Sequence, residues 1–261
     1  MNTPNTITVL GAGYVGLTTA SLLAHAGYTV YVVEPNKERL DIIKTGRSFF
    51  FEEGLDPIIK EAVSNKTLIP TDSYKESIPN SQVVFSCVGT PDNPDGSSNL
   101  SYVFAAAKET ADNANPGLIF VQKSTVPVGT GKKIEDIFQP LNKPLAYVSN
   151  PEFLREGVAL YDTLFFDRVV VGGTNAEANQ QIINVYKRIE EIRPKMLALS
   201  GLNAGGSGKT SVDLVSRNLQ KNSAYIATQT LESAELVKVT SNAFLALKIS
   251  FANSIAMLAD H

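Results

Sequence analysis

Three glycines and one acidic residue near the start of the chain have the types and spacing of a dinucleotide-binding site. Gly11, Gly13 and Gly16 follow a short apolar stretch. Glu34 closes the next apolar stretch, 18 residues after Gly16. The first glycine permits a tight turn, the second lets backbone N–H groups approach a pyrophosphate, and the third lets a helix lie close to the strand. A carboxylate at Glu34 accepts hydrogen bonds from an adenosine ribose and repels a 2′-phosphate, so the pattern predicts NAD rather than NADP.

Two pairs of side chains further along carry groups that can move a proton or stabilise charge. Glu152 and Glu156 flank a possible helix start, where carboxylates also favour the helix dipole without any catalytic role. Lys238 and Asn242 lie four residues apart, on one face of a long helical pattern. A lysine on such a helix is usually solvated. The residue types alone therefore leave each pair open between a catalytic and a structural role.

Length and charge limit the class of protein. A chain of 261 residues buries a sizeable core without a disulfide or a metal. Its 23 basic and 26 acidic residues give a net charge of −3 without a polybasic block, so nucleic acid is not an expected partner. The start of the chain does not resemble a leader, and no run is expected to reach the roughly 20 apolar residues of a membrane span. We expect a cytoplasmic protein without a membrane partner.

The single cysteine, Cys87, lies in an apolar stretch and is expected to be a small core residue. One cysteine excludes an internal disulfide and fits a reducing compartment. The sequence contains no cluster of residues at metal-ligand spacing, so no metal is expected.

The surrounding sequence alternates short apolar stretches with helical patterns, which is typical of a parallel sheet covered by helices. We predict an α/β fold, a doubly wound parallel sheet (Rossmann-like), followed by a long C-terminal helix. The predicted strands are Ile7–Leu10, Thr29–Val33, Leu68–Pro70, Val83–Val88, Leu118–Gln122, Ala146–Val148, Arg168–Gly172 and Met196–Leu199. Ligands of such sheets bind at the carboxyl ends of the strands. Those ends lie at Gly11, Glu34 and residues 87–89, 123–125 and 149–152.

The alternation stops after residue 200. Residues 203–210 end in Gly-Lys-Thr, like a nucleotide P-loop, but that motif needs a glycine where Asn203 stands. We therefore interpret this part of the chain as a flexible insertion rather than a second phosphate site. The predicted domains are an NAD-binding Rossmann-like domain over 1–200, the insertion over 201–229, and the start of a central or dimerisation helix of a truncated second domain over 230–261.

From residue 230 the chain has the pattern of one long helix. Its apolar residues recur at intervals of three and four and need a partner surface. They are Leu236, Val239, Ala243, Phe244, Leu247, Phe251, Ile255 and Leu258. The pattern continues to His261 without a capping glycine or a following proline, so we expect the chain to be a piece of a longer protein.

Six blocks of residues are the most distinctive part of the chain. They are Gly11–Gly16, Val88–Pro91, Lys123–Gly129, Ser149–Gly157, Asp167–Gly172 and Ala234–Ala246. Together, and in this order, they resemble the UDP-glucose/GDP-mannose dehydrogenase family, and within it the UDP-glucose 6-dehydrogenases. Members acting on GDP-mannose or UDP-N-acetyl-mannosamine share this architecture, but Asp95–Leu100 and Pro151–Glu156 favour UDP-glucose.

The resemblance implies an NAD-dependent oxidation of a sugar C6 alcohol to a carboxylate, in two steps, through a thiohemiacetal and a thioester on a cysteine. It also implies a homodimer formed through the 230–261 helix. Glu152 or Glu156 would be the general base, directly or through a water held near Thr125. Lys238 and Asn242 would stabilise the oxyanion that develops at C6.

The same resemblance assigns the remaining site residues. The implied cofactor-binding residues are Gly11, Gly13, Tyr14, Val15, Gly16, Glu34, Arg39, Val88, Gly89, Thr90, Ser124, Thr125 and Glu156. The implied catalytic residues are Thr125, Glu152, Glu156, Lys238 and Asn242. The implied substrate-binding residues are Glu152, Phe153, Leu154, Arg155, Lys238 and Asn242.

The sequence departs from the family in one respect. The family's nucleophile lies in a Gly-rich Cys-Pro-Lys-Asp type segment beyond this helix, and the 261 residues do not contain it. Cys87, on a buried strand before the cofactor loop, is not expected to replace it. We therefore expect NAD binding without completed oxidation. Two alternatives remain, a β-hydroxyacid dehydrogenase with a catalytic lysine and a non-catalytic NAD-binding module.

Overall fold

The structure is a computed structural model that describes residues 5–141, 143–202, 223–228 and 230–259. Within these residues one sheet contains eight strands. The strands are β1 (Thr6–Leu10), β2 (Thr29–Val33), β3 (Leu68–Thr71), β4 (Val83–Ser86), β5 (Ile119–Gln122), β6 (Ala146–Ser149), β7 (Arg168–Gly172) and β8 (Ala224–Thr228).

Helices connect most of these strands. They are α1 (Tyr14–His25), α2 (Lys37–Lys44), α3 (Leu55–Ser64), α4 (Tyr74–Ser77), α5 (Ser101–Asn113), α6 (Thr130–Phe138), α7 (Ala159–Leu164), α8 (Ala176–Glu191), α9 (Arg193–Ser200) and α10 (Leu231–Ala259), with a 3₁₀ helix at Ile78–Asn80.

The strand order, β3-β2-β1-β4-β5-β6-β7-β8, confirms the predicted doubly wound sheet. The chain runs outward from β1 to β3 and then returns to the other side of β1, so the crevice above β1 and β4 is the usual ligand position in such a fold. Strands β1 to β6 are parallel to one another. The sheet departs from the predicted parallel arrangement at one pair, because β7 pairs antiparallel with β6 through Ser149 and Gly172.

The core occupies both faces of the sheet. Ile7 and Val9 pack on the face covered by α1, α3 and α8, whereas Leu10 and Val84 pack on the face covered by α5 and α6. Because side chains alternate along a strand, burial on both faces requires the nearly continuous apolar stretches seen in the sequence.

The predicted strand Met196–Leu199 is wrong, because these residues lie in α9. Pro194 occupies the first turn of this helix, and Gly201 follows its end with a φ of 72°. A proline at the start and a glycine just past the end are helix signals. A short apolar run without clear periodicity does not distinguish a strand from a buried helical turn.

Residues 224–228, the last described part of the segment predicted as an insertion, extend the sheet at its end. Residues 203–222, including the stretch that resembles a P-loop, lie outside the described residues. Residues 224–228 form β8, which pairs parallel with β7 from Arg168 opposite Ala224 to Gly172 opposite Thr228. The strand thus belongs to the sheet rather than to a separate insertion. The domain boundaries remain a prediction.

The long helix predicted from residue 230 is α10, and only its beginning is docked on the sheet. Within it the buried residues are Leu231, Ala234, Glu235 and Lys238. Beyond Lys238, the described side chains are exposed apart from the half-buried Ser241. The exposed part includes Phe244, Leu247, Phe251, Ile255 and Leu258. The predicted apolar stripe therefore lies on the surface.

The helix α10 also corrects an expectation about membrane spans. In the described part of the chain it is the one helix long and apolar enough to cross a bilayer, with a mean hydropathy of 1.4 over its most apolar window. The expectation that no run would meet this criterion is wrong. Length and hydropathy alone are weak evidence for a span, since the core helices of soluble proteins meet the same criterion.

Candidate active site

The turn between β1 and α1 leaves an open space at Gly13. Gly11 has a φ of +90°, and a Cβ there would lie 2.8 Å from the carbonyl oxygen of Cys87. A Cβ on Gly16 would lie 1.9 Å from the carbonyl oxygen of Gly11. A Cβ on Gly13 would meet nothing within 4 Å, and its φ of −60° suits any residue. Packing therefore requires Gly11 and Gly16, whereas Gly13 keeps the N-terminus of α1 accessible to an anionic group.

Glu34 lies beside this turn, at the end of β2. Its side chain is buried, and its carboxylate accepts hydrogen bonds from the N–H of Asn36 at 2.9 Å and of Ala12 at 3.3 Å. A carboxylate has about four acceptor positions, so Glu34 retains capacity for ribose hydroxyls. The open space at Gly13 and the free acceptor positions of Glu34 fit the pyrophosphate and the ribose of NAD. Arg39 lies in the first turn of α2, exposed, with its guanidinium 4.9 Å from the ring centroid of Phe49.

The ends of β4 and β5 form the other wall of the crevice. Ser124 donates a 2.7 Å hydrogen bond from Oγ to the carbonyl oxygen of Val88, which joins the two strand ends. Gly89 leaves open space, since a Cβ there would meet nothing within 4 Å. Thr90 and Thr125 follow on the same edge, both half-buried. The structure thus brings these predicted cofactor residues to the carboxyl edge beside Gly11.

The start of α1 lies within electrostatic range of the segment that follows β6. Burial raises the pKa of the Tyr14 hydroxyl, and the negative charges of Glu152 and Glu156 raise it further. Val15, the next residue on α1, is half-buried and packs against the core. The charges of the predicted catalytic carboxylates therefore act on Tyr14, a residue of the predicted cofactor site.

Glu152 and Lys238 form an ion pair at this place. Lys238 Nζ lies 2.9 Å from Glu152 Oε1, with side chains 7% and 10% exposed. The second oxygen of Glu152 accepts a hydrogen bond from the N–H of Leu154. The Lys238 ammonium lies 5.3 Å from the ring centroid of Phe153, and the Arg168 guanidinium lies 4.4 Å from the same centroid. A nearly buried ion pair carries a large desolvation cost, so losing either partner leaves an uncompensated charge.

Three of the predicted site residues are not part of this ion pair. Glu156 is exposed, and Asn242 is exposed one helical turn beyond Lys238. Arg155 points to Asp162 instead, with Nη2 to Oδ1 at 2.7 Å and Nε to Oδ2 at 3.0 Å. Of the two candidate bases, Glu152 is therefore the one that meets Lys238.

A buried polar chain next to Glu152 was not predicted. Lys123 donates from Nζ to the Tyr186 hydroxyl at 2.8 Å, and this hydroxyl donates to Asn150 Oδ1 at 2.6 Å. Asn150 Nδ2 in turn donates to the carbonyl oxygen of Val170 at 2.8 Å. Lys123, Asn150 and Tyr186 line a cavity of about 170 Å³ together with Glu152. Lys123 and Asn150 belong to distinctive sequence blocks, but Tyr186 lies on an amphipathic helix, where an aromatic residue gives no signal of a site.

Cys87 is confirmed as a core residue. Its thiol is buried, and burial raises its pKa to about 12. In the described ranges, no group of three or more His, Cys, Asp and Glu residues is arranged to hold a metal.

The comparisons with known proteins cover both parts of the chain. Residues 5–190 match the model of the UDP-glucose/GDP-mannose dehydrogenase family, NAD binding domain, and residues 232–261 match the central domain of the same family. The UDP-glucose 6-dehydrogenase of Rhizobium meliloti is 38% identical over 97% of this chain and 52% of its own length. The UDP-glucose 6-dehydrogenase TuaD of Bacillus subtilis is 35% identical over 97% of this chain and 49% of its own length.

Two solved structures of dehydrogenases have a fold similar to that of this chain. The UDP-glucose dehydrogenase from Pyrobaculum islandicum has a TM-score of 0.79 and 32% identity, over 96% of this chain and 52% of its own. The GDP-mannose dehydrogenase from Pseudomonas aeruginosa has a TM-score of 0.77 and 27% identity, over 95% of this chain and 51% of its own. The chain spans about half the length of the curated relatives described above.

Proposed function

The chain belongs to the UDP-glucose/GDP-mannose dehydrogenase family, and we propose that it is the NAD-binding part of an enzyme that oxidises UDP-glucose to UDP-glucuronate. The observation that carries this proposal is the ion pair of Lys238 and Glu152 beside the start of α1. The pair consists of a carboxylate and an ammonium at the carboxyl edge of the parallel strands.

NAD supplies the hydride acceptor when it is bound. In the proposal, the N-terminus of α1 at Gly13 holds the pyrophosphate and Glu34 holds the adenosine ribose, with Arg39 beside it. The remaining cofactor residues line the rest of the dinucleotide path, namely Tyr14, Val15, Val88, Gly89, Thr90, Ser124, Thr125 and Glu156. This set combines open backbone with one buried carboxylate, which favours NAD over NADP.

The chain's own contribution to the first oxidation is proton removal and charge stabilisation. We assign Glu152 as the base that takes the proton of the C6 hydroxyl, directly or through a water held near Thr125. The Lys238 ammonium stabilises the oxygen as negative charge develops on it, and Asn242 assists from the next turn of α10. Phe153, Leu154 and Arg155 contact the nucleotide sugar. Because little solvent reaches Lys238, its charge acts more strongly than it would in water.

The second oxidation requires a thiol that holds the aldehyde as a thiohemiacetal, from which a second hydride can leave. Cys87 does not suit this task, because its thiol is buried and its pKa is about 12. The proposal therefore needs a thiol other than Cys87. The 261 residues by themselves should bind NAD without forming UDP-glucuronate.

The exposed residues of α10 and the charge of the chain indicate its partners. We propose a cytoplasmic homodimer formed through residues 230–261, because the exposed apolar residues of α10 need cover. The charge balance does not favour nucleic acid as a partner, and dimerisation would remove the surface that a membrane would otherwise cover.

The test is a substrate panel with the full-length protein and NAD. The panel contains UDP-glucose, GDP-mannose, UDP-N-acetyl-mannosamine and 3-hydroxyisobutyrate. We expect two NADH for each UDP-glucose consumed and much lower kcat/KM for the others. A higher kcat/KM for another nucleotide sugar would reassign the substrate. Binding of NAD without oxidation of any of the four would favour a non-catalytic module.

A further inference from the structure

Glu235 joins α10 to the loop between β5 and α6. One carboxylate oxygen accepts a 2.7 Å hydrogen bond from the N–H of Gly129, and the other accepts a 2.7 Å bond from the N–H of Gly131. The residue is only 2% exposed. Burial raises the pKa of Glu235, and the two N–H donors oppose that rise. A carboxylate from α10 thus satisfies N–H groups at the start of α6 that have no partner within that helix.

The two backbone donors to this carboxylate suit glycine for different reasons, the φ angle at Gly129 and the lack of space at Gly131. Gly129 has a φ of +89°, which disfavours other residues. A Cβ on Gly131 would lie 3.1 Å from Glu235 Oε1 and 2.7 Å from the ring of Tyr147. Both glycines therefore fit the approach of the Glu235 carboxylate.

Thr125 and Lys238, two residues of the proposed site, lie on the two elements that this contact joins. The loop that ends at Gly129 begins after β5 and carries Ser124 and Thr125. Lys238 lies three residues after Glu235, close to one turn further along α10. The contact therefore connects the loop of Thr125 to the helix of Lys238.

Besides Glu235, the docked part of α10 is held by Leu231, which is buried in the core, by Ala234 and by Lys238. Ala234 packs closely on β7, since a Cβ on Gly172 would lie 2.4 Å from Ala234 Cβ. Lys238 itself is held by Glu152. Because the helix is mostly exposed beyond Lys238, these contacts of the first two turns set its position on the sheet.

We infer that Glu235 is a positioning residue, which fixes Lys238 relative to Thr125 and Glu152 by holding α10 to the β5–α6 loop. The inference rests on the proposed oxidation of a nucleotide sugar. The hydrogen bonds of Glu235 go to Gly129 and Gly131 rather than to Glu152 or a predicted cofactor residue, so it acts through Lys238. Small displacements of a reacting group cost as much as about 10²-fold in rate, so a fixed helix matters for catalysis.

The first test compares Glu235→Gln with Glu232→Gln in the full-length protein. Glu232 is an exposed acid in the first turn of the same helix, so it controls for the loss of charge. The amide of Glu235→Gln keeps one acceptor but presents its NH₂ group to the other backbone N–H. We expect kcat with UDP-glucose to fall about 10- to 10²-fold in Glu235→Gln, with the Kd of NAD unchanged. Glu232→Gln should match the wild type.

A double-mutant cycle separates positioning from general support of the fold. If Glu235 acts through Lys238, Glu235→Gln should cause no further loss of kcat in the Lys238→Ala background. An equal loss in both backgrounds, or an unchanged kcat in Glu235→Gln, would overturn the inference. Should circular dichroism show that Glu235→Gln does not fold, Glu235→Asp provides the same test, because its shorter carboxylate cannot reach both N–H groups.

Hydrogen exchange gives a readout that does not depend on activity. Glu235→Gln should speed exchange of the Gly129 and Gly131 amides and of the amides around Lys238, whereas Glu232→Gln should not. Unchanged exchange would also overturn the inference. A wild type that oxidises no nucleotide sugar would overturn the proposed function instead, so the two failures are distinguishable.

Discussion

Lys238 on α10 and Glu152 after β6 lie 2.9 Å apart, although the two strands β7 and β8 and the three helices α7, α8 and α9 separate them in sequence. The pair forms because α10 leaves β8 and places its second turn at the carboxyl edge of the sheet. Each charge compensates the other in a place that is nearly closed to solvent. The candidate catalytic centre is thus assembled by the docking of one helix.

The first prediction concerns the open space at Gly13. Gly13→Val should lower NAD affinity about 10- to 10²-fold, because the added methyl groups occupy space that the pyrophosphate needs, while the φ of −60° tolerates the substitution. Calorimetric titration and thermal unfolding measure the two effects. Gly11→Ala is the contrasting control, which should lower stability by more than about 1 kcal/mol because its φ is +90°. Wild-type NAD affinity in Gly13→Val would contradict the assignment.

The second prediction is that the 261-residue chain binds NAD far more tightly than NADP. Glu34→Gln should narrow this preference by about 10- to 10²-fold, the scale of a hydrogen bond to a charged group. Glu38→Gln, on the exposed first turn of α2, should leave the preference unchanged. Titration with both cofactors is the measurement, and equal wild-type affinities would refute the role of Glu34.

Much of the fold was predictable from local patterns. The β1–α1 turn needs glycine at Gly11 for its positive φ and at Gly16 for the close approach of the Gly11 carbonyl oxygen. Both reasons are local to that unit, so the sequence pattern and the structure coincide. The direction of β7 was not predictable, because a strand pattern is the same whether its neighbour is parallel or antiparallel. Met196–Leu199 was predicted wrongly because four apolar residues have too little periodicity to identify a helix.

The site was predictable only in part. The pairing of Glu152 with Lys238 depends on where α10 docks, which the residue spacing does not determine. Glu235 gives no signal in the sequence, since a glutamate on a helix is normally solvated. Tyr186 and Asn150 meet because α8 packs beneath β6, a contact that neither residue indicates on its own.

The third prediction concerns the reactivity of Cys87. With a pKa of about 12, the native thiol should react with Ellman's reagent at pH 8 at a very small fraction of the rate in guanidinium, where the pKa returns to about 8.5. The raised pKa also makes the stability of the fold depend on pH. The contribution of the neutral buried thiol is complete below about pH 8.5 and is lost as the pH rises toward about 12. Rapid stoichiometric labelling of the folded chain would show that Cys87 is not a core residue.

The fourth prediction concerns the exposed part of α10. Sedimentation of the 261-residue chain should show self-association, and the double substitution Leu247→Ser and Phe251→Ser should shift it toward the monomer. Both side chains are exposed, at 63% and 66%, so thermal stability of the sheet domain should change little. Ser250→Ala, exposed on the same helix, is the matched control. A wild-type monomer at high concentration would contradict a dimer formed through α10.

The fifth prediction, on Lys238, tests the central claim most directly. In the full-length protein, Lys238→Ala should lower kcat with UDP-glucose about 10²- to 10³-fold, the scale for losing one oxyanion donor, while the Kd of NAD stays nearly unchanged. Lys248→Ala, an exposed lysine on the same helix, should keep wild-type kcat. The decisive measurement is therefore kcat and the NAD Kd of Lys238→Ala side by side. Loss of turnover with intact NAD binding is the result expected here, and intact turnover with weakened NAD binding would contradict the catalytic role of α10.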